Sequence, residues 1–302
     1  MTRDRQRTCY PVALAQRHPV TLPPTAPATL HTYLQTDFEQ RGFDADDARV
    51  LAEMYVRQSS WFTKESGQPV PSWPPPADYL DSPRGLPVTT HPAFPPEDRA
   101  AFGLYPIVAD CMELERLLPL GLGMIQLRAK GRSRSDQDAL AVDAIRLAHA
   151  YPTKLYINDA WEVALRHGAH GVHLGQDDLD QADTVALQRH GLRLGISTHS
   201  VAELVRASQY APSYIAMGTV FPTRSKQLDY APLGLAGLRF LARLSPVPVV
   251  AIGGIHLAQA QAVYAAGAAG IAAISEMQDC PNPAERVRQW ARLATSQPAG
   301  SN

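Results

Sequence analysis

The chain is poor in the features that would assign it quickly to a class. It has three cysteines, Cys9, Cys111 and Cys280, far apart and with no CxxC pair. That excludes a disulfide scaffold and a cysteine-rich zinc site, and it suits a reducing, cytoplasmic setting. Charge of one sign is also missing: 28 Lys and Arg against 29 Asp and Glu leave a formal net charge of -1. No global field draws the chain to nucleic acid or to an anionic membrane, so any bound anion is held by local charges. The basic N-terminus lacks an uninterrupted apolar stretch of signal-peptide length, so export is not expected. No glycine-rich nucleotide turn follows a strand. From Pro246 to Ser275 there is no Asp, Glu, Lys or Arg, but Gly253, Gly254, His256, Gln259 and Gln261 divide that run into strand, turn, amphipathic helix and strand rather than a membrane span.

What is present falls into two halves. Fifteen of the 26 prolines precede residue 99. Residues 1–28 have no periodic pattern and read as a disordered tail. Residues 29–98 form an extension, with two short helices expected between Thr29 and Ser60 from the helical spacing of Leu30, Tyr33, Leu34, Phe38, Val50, Leu51, Met54 and Tyr55. A proline-rich arm follows, because proline removes backbone donors and breaks helices. From 99 to 296 apolar strands alternate with helical segments, and 297–302 is a short tail. Strands are expected at 102–109, 124–128, 155–158, 171–174, 193–197, 214–218, 247–252 and 270–274. The helices between and after them fall at 111–119, 135–150, 161–167, 179–190, 200–210, 234–244, 257–267 and 283–295. Eight such units in about 200 residues predict an α/β (β/α)8 barrel.

In such a barrel the C-terminal strand ends carry function. The stretch YINDAWEVALRHGAHGVHLGQDD reads as strand, helix, strand, and brings Asp159 and Asp178 to one rim. Paired carboxylates there suit a magnesium ion shared with a substrate phosphate. The plainer reading is that each caps the helix after it. Strand alternation puts Gln126, Arg128 and Lys130 on the inward face after the second strand, for an anion or for a structural ion pair with Asp159 or Asp178. Ser197 is placed to orient a polar heterocycle. Thr198 or Ser200 suits a helix cap, and His199 reads as a helix-start residue before a general base. The long loop from Phe221 to Leu233 carries Thr223, Arg224, Ser225 and Lys226, which suit phosphate capture, with a solvated basic loop as the plain alternative. Gly253-Gly254 and Ile274-Ser275 follow the last two strands, where this fold often holds phosphate on backbone amides.

These residues resemble the thiamine phosphate synthase family over about 102–295, through QLRAK, IND, HLGQDD, GIST, GTVFPTRSK, AIGGI and the closing AIS. The resemblance implies joining 4-amino-2-methyl-5-pyrimidinylmethyl diphosphate to 4-methyl-5-(2-phosphoethyl)thiazole, with Mg2+ as cofactor and release of diphosphate. It implies that Gln126, Arg128, Lys130 and Asn158 hold the pyrimidine diphosphate, that Asp159 and Asp178 bind magnesium, and that Ser197 contacts the pyrimidine. Thr223, Ser225 and Lys226 then meet the phosphates, and Gly254, Ile274 and Ser275 the thiazole phosphate. Arg128, Lys130, Ser197 and Lys226 are the residues expected to act in catalysis. Where the family has TxTK, this chain reads Thr223-Arg224-Ser225-Lys226. The partners implied are small molecules, with assembly as a homo-oligomer left open. A related thiazole tautomerase and a non-catalytic sensor of thiazole or thiamine phosphate are the competing classes. Residues 29–98 faintly resemble the C-terminal end of hydroxymethylpyrimidine phosphate kinases without a kinase motif.

Overall fold

The computed structural model describes residues 92–223, 232–278 and 280–295, with isolated positions Thr32, Gln35, Thr36, Glu39 and Ala52 before them. The chain divides into two compact units, Met1–Leu86 and Pro87–Asn302. In the first, the five described positions are helical, and Gln35 donates to Glu39 while the Thr36 hydroxyl donates to the Thr32 carbonyl, both at one-turn spacing. The tail at 1–28, most of 29–91 and the end from 296 lie outside the described residues.

The second unit is a closed barrel of eight parallel strands in sequential order. They are β1 (Leu104–Val108), β2 (Met124–Leu127), β3 (Lys154–Asn158), β4 (Gly171–Leu174), β5 (Arg193–Thr198), β6 (Tyr214–Gly218), β7 (Val249–Ile252) and β8 (Gly270–Ala273). Helices pack outside: α1 (Cys111–Leu117), α2 (Arg134–Ala148), α3 (Trp161–His167), α4 (Thr184–Arg189), α5 (Val201–Gln209), α6 (Gly234–Leu244), α7 (Ala260–Ala265), α8 (Ser275–Gln278) and α9 (Pro283–Thr295). Every strand foreseen in the sequence is found. The uncharged run 246–275 resolves into β7, α7 and β8, and among the described residues no helix is long and apolar enough to cross a membrane.

Two expected helices are shorter than the sequence suggests. The one at 179–190 opens as a 3-10 turn, Asp178–Asp180, and α4 starts afresh because the Asp183 side chain accepts from the Ala186 amide. The one at 257–267 likewise opens as a 3-10 turn, Leu257–Gln259. Helix α8 was not legible in the sequence.

Alternation sends one set of side chains into the barrel, where Tyr105, Ile107, Met124, Tyr156, Tyr214, Ala216, Val250 and Ala272 form the core. Three tyrosine rings meet there edge to face, with centroids 5.3 to 6.0 Å apart. Gly195 makes room for one of them, since a Cβ at that position would collide with the Tyr214 ring.

The bottom of the barrel is closed from outside the strands. Residues 92–98, in the proline-rich stretch, belong to the barrel's own unit and carry Phe94 and Glu97 into it. The Glu97 carboxylate accepts from Lys154 at 2.7 Å and Tyr156 at 2.6 Å, and pairs with His170 at 2.8 Å. Burial alone would raise its pKa, but the hydrogen bonds from His170, Lys154 and Tyr156 win and lower it from 4.5 to about 2.

Candidate active site

Asp159 and Asp178 meet at the C-terminal mouth, as the strand-helix-strand pattern requires. Neither acts as a helix cap. Asp159 follows β3 with its backbone in the left-handed region, φ 63°, and α3 begins without a side-chain cap. That conformation is costly for a non-glycine residue, and it is held by the Asp159 amide donating to the His173 carbonyl at 3.0 Å. Asp178 turns back, and its Oδ2 accepts from the Gly175 amide at 3.1 Å.

The Asp178 carboxyl lies against that of Asp159. Burial and the Asp159 charge push its pKa up, while the Gly175 amide and Lys130 pull it down. Lys130 reaches Asp159 at 3.3 Å with 57% of its side chain exposed. An ion pair that open is worth about 0–1 kcal/mol, too little to explain holding two carboxylates together. The arrangement is short of positive charge and fits a hard cation. Among the described residues no group of three His, Cys, Asp or Glu gathers that could hold a metal ion; paired carboxylate oxygens are the donor type that suits Mg2+.

Arg128 follows the last residue of β2, half-buried, and its charge reaches His173. Asn158 ends β3 next to Asp159. Gln126 lies lower and is buried, its amide nitrogen donating to the Tyr105 hydroxyl at 3.1 Å. Ser197 near the end of β5 contacts His173 Nε2 at 2.8 Å, and the Gln176 side chain donates to the Ser197 carbonyl at 2.7 Å. Arg206 on α5 fixes Gln176 in turn, donating to its carbonyl at 2.8 Å.

His199 is occupied. Its Nδ1 is 2.9 Å from the Glu203 carboxylate, which also accepts from the His199 amide at 2.6 Å. Ser200 is the cap of α5, accepting from the Glu203 amide, while the buried Thr198 hydroxyl donates to the Ala216 carbonyl.

On the other side of the mouth, Thr223 is half-buried after β6; Arg224, Ser225 and Lys226 lie outside the described residues. Gly254 has φ 64°, and a Cβ there would collide with the Pro222 and Phe221 carbonyl oxygens. Gly254→Ala is therefore expected to lower stability by about 1–3 kcal/mol, because the β6 and β7 loops must part; a urea midpoint equal to that of the wild type counts against this packing. Ile274 follows β8 and Ser275 opens α8. That short helix is pinned: Glu276 accepts from Arg286 at 2.8 Å and meets His256 Nδ1 at 2.8 Å, and Arg116 donates to the Met277 carbonyl at 2.8 Å.

Sequence reasoning missed His173, Tyr105 and Tyr214, which join Gln126 to Ser197 through the barrel interior. His173 Nδ1 is 2.8 Å from the Tyr214 hydroxyl, itself 3.0 Å from that of Tyr105. Burial and then the Arg128 charge lower the His173 pKa to about 3, so the ring is neutral. Burial raises the Tyr105 and Tyr214 pKa values, so both keep their protons. The signal was available: in GVHL, alternation turns His173 inward with Gly171.

A parallel eight-stranded barrel whose C-terminal mouth holds two facing carboxylates, Lys130 beside them and a tight glycine loop after β7 has its polar groups where (β/α)8 enzymes carry their active sites. Residues 104–277 match the family model for thiamine monophosphate synthase. The chain is 47% identical over 207 residues to a thiamine-phosphate synthase of Escherichia coli O157:H7 (strain EC4115 / EHEC), covering 68% of this chain and 94% of the relative. A thiamine-phosphate synthase of Shigella sonnei is 46% identical over the same shares. The solved thiamine phosphate pyrophosphorylase of Pyrococcus furiosus is similar at 28% identity and TM-score 0.57, covering 65% of this chain and 97% of that one. The chain belongs to the thiamine monophosphate synthase family.

Proposed function

We propose that the chain joins 4-amino-2-methyl-5-pyrimidinylmethyl diphosphate to 4-methyl-5-(2-phosphoethyl)thiazole, giving thiamine phosphate and diphosphate in a cytoplasmic setting. The observation that carries this reading is the meeting of Asp159, Asp178 and Lys130 at one barrel mouth in a chain 47% identical to a thiamine-phosphate synthase.

The bond from the pyrimidinylmethyl carbon to the diphosphate oxygen breaks, and its electron pair leaves with diphosphate. The aminopyrimidine ring delocalises the positive charge left on carbon. The thiazole nitrogen lone pair then forms the new carbon–nitrogen bond, so no proton needs to be removed from the nucleophile. That is consistent with a His199 engaged by Glu203 rather than waiting as a base.

Asp159 and Asp178 would hold a divalent cation, Mg2+ by their oxygen-only donor set, and when bound it supplies charge neutralisation to the departing diphosphate. Arg128 and Lys130 face the same developing charge, and Lys226 is assigned to it from the sequence resemblance. Gln126, Asn158 and Ser197 orient the pyrimidine. Thr223 and Ser225 meet phosphate oxygens, while the Gly254 loop with Ile274 and Ser275 takes the thiazole phosphate.

The test is incubation of the full chain with both substrates, with and without Mg2+, following diphosphate. Release that requires both substrates and the metal is expected; none with all three present contradicts the reading. An electron-withdrawing substituent on the pyrimidine methyl is expected to slow turnover steeply, and a rate indifferent to that substituent contradicts rate-limiting ionisation to a cation.

A further inference from the structure

The hydrogen bonds joining Gln126 to Ser197 run through three side chains with no assigned role, and the orientation of the Gln126 amide sets their direction. The Gln126 amide nitrogen carries only hydrogens, so at 3.1 Å the Tyr105 oxygen accepts from it. The single Tyr105 proton then goes to the Tyr214 oxygen, 3.0 Å away. Tyr214 passes its own proton on to His173 Nδ1 at 2.8 Å. A neutral imidazole accepting at Nδ1 carries its proton on Nε2, which donates to the Ser197 oxygen at 2.8 Å. Two groups are left over, the Gln126 carbonyl oxygen as an acceptor and the Ser197 hydroxyl proton as a donor. Among the described residues neither has a further hydrogen-bond partner.

We propose that Tyr105, Tyr214 and His173 are positioning residues that fix this proton pattern, so that the mouth selects a 4-aminopyrimidine against its 4-oxo counterpart. The inference rests on the substrate reading above. An aminopyrimidine offers N–H hydrogens at its amino group and a lone pair at ring nitrogen, the complement of one acceptor and one donor. The oxo analogue sets a carbonyl oxygen against the Gln126 oxygen. Inverting the Gln126 amide would relieve that clash, but it would reverse every proton in a buried chain. Sites whose hydrogen-bonding groups are locked in this way reject the wrong partner strongly. Tyr214 touches neither Gln126 nor any atom assigned to substrate, yet cutting the chain there frees Tyr105 to donate to the Gln126 oxygen and lets the amide invert.

Two measurements on the full chain decide it. Nitrogen-15 chemical shifts of His173 in the substrate-free protein are expected to show an unprotonated Nδ1 and a protonated Nε2; the opposite tautomer, or a protonated ring, overturns the proposal. In competition between the amino and oxo pyrimidinylmethyl diphosphates, the wild type favours the amino form, and Tyr214→Phe is expected to lower that preference in kcat/KM about tenfold. A preference unchanged in Tyr214→Phe overturns the proposal. Should the wild type release no diphosphate from the amino substrate, the function above fails, and the tautomer alone decides the proton pattern.

Discussion

Asp159→Asn is expected to lower kcat/KM by about 10²–10³-fold while leaving the fold intact. Asparagine is the informative replacement because it tolerates the left-handed backbone that this position adopts, φ 63°. The hydrogen bond from the backbone amide of residue 159 to the His173 carbonyl therefore survives, and only the charge is lost. Lys130 loses a partner, but a side chain 57% exposed redissolves at small cost, so thermal stability should move little. Removal of one carboxylate also relieves Asp178 of the neighbour that pushes its pKa up. Steady-state kinetics against Mg2+ concentration checks this; turnover within a few-fold of wild type, with the same metal dependence, removes Asp159 from the proposed metal site.

Glu97→Ala is expected to have the largest effect on stability, about 3–5 kcal/mol, because it strands Lys154 and His170 and leaves the buried Tyr156 hydroxyl unpaired. The pH dependence follows from the direction of the shift. Glu97 has its pKa lowered from 4.5 to about 2 in the folded chain. Its contribution is therefore fully present above pH 4.5 and is lost as pH falls towards 2, about 3 kcal/mol over that window. Urea unfolding of wild type and Glu97→Gln at pH 7 and at pH 3 isolates it: the gap between the two should narrow at the lower pH. A gap that is constant or widens contradicts the assignment.

The barrel was legible because each strand is a short apolar run closed by a helix start, and the period changes cleanly between them. The carboxylate pair was legible for the same reason, since parallel strands deliver the residues after them to one rim. Glu97 was not, because it sits in a proline-rich stretch without periodicity and its partners lie 57, 59 and 73 residues away. The tyrosines fall within the strands expected from the sequence, and they are core. What alternation along single strands does not convey is that hydroxyls from β1 and β6 meet at 3.0 Å. Asp183 hid in a stretch read as one helix because a cap and a mid-helix aspartate look alike until the backbone turns.

In the proposed function, Asp159, Asp178 and Lys130 form a diphosphate site completed by a divalent ion. Calorimetric titration of inorganic diphosphate into the full chain, with and without Mg2+, tests it without any turnover. Binding that needs Mg2+ in the wild type and is lost in Asp159→Asn is the predicted result, whereas equal binding with and without the metal, or binding untouched by the substitution, would contradict it.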